Sequence, residues 1–179
     1  MDLSKNNTLA TLVFPVRGTG GKRKVLLAKK VRKIGIGCPN GFGGSLNKGE
    51  TVKACAVREL RKESGLVAMQ GDLEFVGVMR FHNKREKKNG GGWFVVTVFV
   101  FILNKWIGKL KLKKDEMVDD KWYKIYRLPR KKMMPADQFW VPLIFNGNKI
   151  KGEAWYGPKQ KTMPRLPEIK VVAHLSDVD

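Results

Sequence analysis

Short segments rich in β-branched and aromatic residues recur along the chain and read as strands: Leu9–Val16, Lys24–Lys30, Leu73–Phe81, Trp93–Leu103, Lys121–Tyr126, Lys149–Tyr156 and Ile169–His174. Most end at Gly, Asn or Pro. From Thr51 to Ser64 the period changes. No Pro or Gly interrupts that stretch and Gly65 follows it, which predicts one helix with a glycine C-cap. At 3.6 residues per turn Val52, Cys55, Ala56 and Leu60 form an apolar stripe, and Glu59 and Glu63 fall along the same stripe. Carboxylates on an inward face are costly unless cations or hydrogen-bond donors compensate them. Hard oxygen ligands one turn apart suit Mg²⁺, with substrate phosphates completing its shell. A second helix is predicted from Asp137, whose carboxylate can cap it, through Phe145 to a stop at Asn146-Gly147. Pro142 marks a first-turn position or a kink. Strands with two helices predict an α/β (α+β) sandwich.

Composition narrows this picture. The 179 residues can bury one substantial core with no linker or repeat to divide it, so a single domain over 1–179 and a monomer are the simplest expectations. The longest apolar stretch, Phe94–Leu103, is too short to span a bilayer, and Met1–Asn7 lacks an apolar leader, so a cytoplasmic location and no membrane are expected. Cys38 and Cys55 make neither a disulfide framework nor, with His82 and His174, a zinc site. Both histidines read as structural or surface residues. The net charge of +20 admits a polyanionic partner. Lysines supply 26 of the 36 basic residues and are spread along the sequence, so a solvated basic surface is the alternative to a nucleic-acid interface. Lys84-Arg85-Glu86-Lys87-Lys88-Asn89 before Gly90-Gly91-Gly92 reads as a charged hairpin tip that could overhang a site.

The segment Gly44 to Leu66 carries the most specific pattern. Gly44, then Glu50, then Arg58-Glu59-Leu60-Arg61-Lys62-Glu63-Ser64-Gly65-Leu66 resembles the Nudix box, with Lys62 where that pattern has the first of two adjacent glutamates. Asn40-Gly41-Phe42-Gly43-Gly44, Lys48-Gly49-Glu50-Thr51 and Met134-Pro135-Ala136-Asp137-Gln138-Phe139-Trp140-Val141-Pro142-Leu143 resemble the MutT-type oxidised purine nucleoside triphosphatases of that family. Thr8-Leu9, Val25-Leu26-Leu27 with Lys29-Lys30, and Asp115-Glu116-Met117 extend the likeness over most of the chain.

The resemblance implies an α-β-α sandwich with a mixed sheet and hydrolysis of a purine nucleoside triphosphate with Mg²⁺, or Mn²⁺ in its place. It assigns metal to Gly43, Glu59, Glu63 and Glu116, catalysis to Glu63 and Glu59, and the bracing of the catalytic helix to Arg58. Substrate contacts are implied at Thr8, Lys30, Asn40, Phe42, Gly43, Gly44, Met134 and Asp137, with Asn40 and Asp137 reading the base. Residue chemistry adds candidate apolar walls at Phe42, Phe81, Trp140 and Met134, and pairing of Arg58 with Glu50 or Glu63. Gly41, Gly43 and Gly44 would let backbone approach phosphate or metal. Met134 and Ala136 stand where the oxidised-purine enzymes have a tryptophan and the first of two aspartates, so base selectivity stays open. The alternatives are an RNA-end or cap pyrophosphohydrolase, suggested by the basic surface, and a nucleotide-binding module with weakened turnover, suggested by Lys62 and Ala136.

Overall fold

The computed structural model describes residues 7–32 and 34–178; the leader reading on Met1–Asn6 lies outside the described residues. In chain order the elements are β1 (Asn7–Arg17), β2 (Lys24–Lys30), β3 (Pro39–Asn40), α1 (Val52–Ser64), β4 (Leu73–Lys84), β5 (Trp93–Leu103), β6 (Met117–Lys124), α2 (Asp137–Phe145), β7 (Lys149–Tyr156) and β8 (Glu168–Val172). They form a mixed sheet of order β3-β2-β1-β5-β4-β7-β8, with β6 paired to β2. The spine is the parallel pair β1 and β5, in register from Asn7 against Val95 to Pro15 against Leu103. β4 runs antiparallel to β5 and parallel to β7.

The sheet buries both faces. One face packs α1 through Ala56 and Leu60 against Val13, Leu26, Phe42, Phe101 and Leu103. The other packs α2 through Trp140, Val141, Ile144 and Phe145 against Phe14, Met79, Val100 and Ile150. Helices on opposite faces give the expected α-β-α arrangement. Among the described residues no helix is long and apolar enough to cross a membrane.

The predicted α1 is present, with Thr51 as N-cap: its hydroxyl accepts from the Ala54 N–H at 3.2 Å. Gly65 closes the helix at φ 74, where its N–H returns to the Arg61 carbonyl. Glu59 and Glu63 are buried with the apolar stripe. α2 also spans its predicted range, with Pro142 inside it, but Asp137 does not cap it. Ala136 occupies the cap position, and the Asp137 carboxylate turns inward to accept from Trp140 Nε1 at 2.9 Å. β6 begins earlier than Lys121 because Met117 and Val118 pair with Lys30 and Lys29.

Candidate active site

The loop after β3 lies along β1, where Val13 N–H donates to Phe42 O at 2.7 Å and Thr11 N–H to Gly44 O at 2.9 Å. This approach explains two glycines. A Cβ on Gly43 would stand 1.9 Å from the Thr11 carbonyl oxygen, and one on Gly44 would stand 2.7 Å from the Glu59 carboxyl carbon. The strand and the carboxylate, rather than a phosphate, exclude a side chain there. The Gly43 N–H donates to Glu63 Oε2 at 2.9 Å. Glu116 enters from the turn before β6. Glu59, Glu63 and Glu116 are all buried and offer oxygens within 4.8 Å of one another.

Basic side chains crowd two of these carboxylates. The Lys62 ammonium lies 3.2 Å from Glu59 Oε2 and 3.1 Å from Glu116 Oε1, bridging them. Glu116 also receives Lys113 at 2.8 Å and Arg32 at 2.7 Å. Burial pushes the Glu116 carboxyl up, but hydrogen bonds from Lys113 and Lys62 outweigh it and hold it down at about 2. For Lys62 burial acts downward, and its bonds to Glu116 and Glu59 carry it above the ordinary lysine value. Glu63 differs: burial raises its carboxyl, partly opposed by the Lys30 charge and the Gly43 N–H. Behind them, Arg58 grips Glu50 at 2.6 and 2.7 Å, donates to the Ser45 carbonyl at 3.1 Å and bonds Glu59. The hydrogen bond from Arg58 holds Glu50 at about 2.

A cavity of about 520 Å³ opens over the carboxylates and continues between α2 and the sheet. Its inner end is walled by Leu12, Phe81, Val96, Val98, Met134, Trp140 and Tyr156. Asp137 is buried there, and burial lifts its carboxyl to about 7 against the pull of the Trp140 N–H. Tyr156, whose hydroxyl accepts from the Ala136 N–H at 3.2 Å, is raised by burial and by Asp137. Asn40 also lines the cavity, its Oδ1 accepting from the Gly41 N–H at 2.8 Å.

Thr8, Lys30, Asn40, Gly43, Gly44, Glu59, Glu63, Glu116, Met134 and Asp137 therefore meet in one cavity, with Phe81 and Trp140. One expectation is corrected. Phe42 is fully buried on the α1 side of the sheet, held there by its bridge to Val13, and does not line the cavity. Of the two partners expected for Arg58, Glu50 is the one it takes, and it also bonds Glu59. The hairpin joining β4 to β5 flanks the site through Phe81, Asn83 and Phe94 at its base. Arg32, Asn83 and Tyr156 line the cavity and were not expected. Only Asn83 had a sequence signal: it continues the alternation Met79, Phe81 on a strand face otherwise apolar.

Residues 6–144 match the family model described as NUDIX domain. The oxidized purine nucleoside triphosphate hydrolase of Danio rerio is 33% identical over 152 residues, covering 85% of this chain and 86% of that protein. The Mus musculus protein of the same name is 31% identical, with the same coverage. Among solved structures, a MutT protein from Bacillus halodurans matches with a TM-score of 0.71 at 18% identity, over 94% of this chain and 99% of its own.

Proposed function

This chain belongs to the NUDIX domain family and is a hydrolase acting on acid anhydrides, and on that premise we propose that it cleaves purine nucleoside triphosphates to a monophosphate and pyrophosphate. Oxidised forms such as 8-oxo-dGTP and 2-oxo-dATP are the foremost substrates, in keeping with the names of its relatives. The observation that carries this reading is that one cavity is lined both by the buried carboxylates and by aromatic and aliphatic side chains. A triphosphate would lie over Glu59, Glu63 and Glu116, within reach of Lys30 and Arg32, while the base enters between Phe81, Met134 and Trp140. The two free cysteines fit a reducing cytoplasm.

The donor set suits a divalent cation: three buried carboxylates, all hard oxygen. Glu59, Glu63 and Glu116 would hold Mg²⁺, or Mn²⁺ in its place. When bound, the ion supplies charge against the phosphate oxygens and polarises water. Of the chain's own groups, Glu63 would accept the proton of the attacking water, with one of its oxygens fixed by the Gly43 N–H. Arg58 holds Glu59 from behind through its Glu50 anchor. Asn40 and Asp137 present polar atoms to the base.

A second reading, a nucleotide-binding module with weak turnover, is favoured by the Lys62 ammonium between Glu59 and Glu116. A screen of purine and oxidised purine triphosphates with Mg²⁺ and pyrophosphate detection separates the two. Release of pyrophosphate from an oxidised purine triphosphate is the expected result. Tight binding without metal-dependent release would establish the module.

A further inference from the structure

Asn83 is the penultimate residue of β4, almost wholly buried, and it lines the inner end of the cavity. Its Nδ2 donates to the Phe81 carbonyl at 2.8 Å. That bond fixes the amide, since exchanging its oxygen and nitrogen would set two acceptors against each other. The Oδ1 is therefore held as an acceptor, and it is the one buried side-chain polar atom without a partner among the described residues. Its strand neighbours are Phe94 on β5 and Tyr156 on β7. Phe94 offers no donor, and the Tyr156 hydroxyl is turned to the Ala136 N–H.

A stranded buried acceptor is unfavourable in the empty pocket. The cost vanishes when a ligand brings a hydrogen-bond donor to the same wall. Resting on the proposed purine nucleotide site, we propose that Asn83 is a specificity-determining residue whose Oδ1 accepts from an exocyclic amino group of the base. The pocket would then favour amino-bearing purines over counterparts that lack the group. Such a loss leaves the acceptor unpaired, and sites built around buried hydrogen bonds discriminate strongly for that reason.

The test compares binding of nucleoside monophosphates by calorimetry without metal, so that turnover plays no part. dGMP against dIMP tests the 2-amino group; dAMP against the 6-unsubstituted purine deoxynucleotide tests the 6-amino group. Wild type is expected to prefer the amino-bearing member of one pair by about tenfold, the size of a buried hydrogen bond plus its stranded partner. In Asn83→Leu that preference should fall to within about twofold. Should Asn83→Leu fail to fold, Asn83→Ala carries the same comparison. No preference in wild type for either pair, or a preference that survives in the variant, overturns the role of Asn83 and leaves the purine reading standing. Failure of all four nucleotides to bind also overturns the role of Asn83, while the purine reading stands or falls on the pyrophosphate-release screen.

Discussion

The two ends of the cavity treat buried polar groups in opposite ways. At the carboxylate end Glu116 meets Lys62, Lys113 and Arg32, Glu59 meets Lys62 and Arg58, and Glu63 accepts from a backbone N–H. At the inner end Asp137 has a single indole donor and Asn83 Oδ1 has none, among aromatic and aliphatic walls. The first region is electrostatically satisfied before any ligand arrives, so a divalent cation must displace Lys62 from the carboxylates it bridges. The second is left short of partners, so a ligand gains hydrogen bonds without breaking any. Phosphate-end affinity should therefore depend on competition between cations, and inner-end affinity on hydrogen-bond matching.

The largest effect is expected at Glu63. Glu63→Gln should lower pyrophosphate release by on the order of 10³-fold, by removing the proposed proton acceptor. Thermal stability should not fall, since a buried charge with one N–H donor is replaced by a neutral amide. Activity within a few fold of wild type would take Glu63 out of the chemistry.

Next is Asp137, which tests the unsatisfied end. Its carboxyl titrates near 3.8 unfolded and at about 7 in the fold, so between those values the folded chain holds a proton that the unfolded chain has released. Its contribution to stability is thus complete below about pH 4, declines as pH rises through about 7, and is constant above. The interval corresponds to at most about 4 kcal/mol, and Asp137→Asn should remove that slope. The nearby Tyr156 hydroxyl and Cys38 thiol are both raised by burial and remain neutral over this range. Denaturant midpoints at pH 5 and pH 8 for both proteins measure it. Parallel pH profiles would mean that Asp137 is not held neutral by burial.

A smaller effect is expected at Asn40. Asn40→Ala should weaken binding of a purine triphosphate by about tenfold while inorganic triphosphate loses less, if the amide contacts the base as proposed. Equal losses on both ligands would make Asn40 a brace for the Gly41 N–H alone.

Much of the α1 side was legible in the sequence. Its helix, glycine C-cap and inward glutamates follow from periodicity and from Gly65, whereas the Thr51 N-cap emerged only in the fold. Glu116 was reached only through the resemblance, since its burial depends on β6 pairing with β2, a contact far apart in sequence. Phe42 was misplaced because a Gly-Phe-Gly loop gives no sign of which sheet face its aromatic ring enters. The backbone bridge to Val13 decides that. Asp137 carried a cap signal that tertiary packing overrode once the Trp140 indole offered its carboxylate a buried donor. Lys62 could pair or turn outward by sequence, and the place of Glu116 settled it.

The contrast between the two ends rests on Lys62 acting as an internal cation, and metal binding measures it directly. Titration of the nucleotide-free protein with Mn²⁺, followed by calorimetry, should give an apparent Kd at least about tenfold lower for Lys62→Glu than for wild type, because a competing charge is removed and an oxygen ligand is added. The Mg²⁺ concentration for half-maximal hydrolysis should fall with it. Equal Mn²⁺ affinity in the two proteins would contradict the claim that Lys62 holds the place of a metal ion.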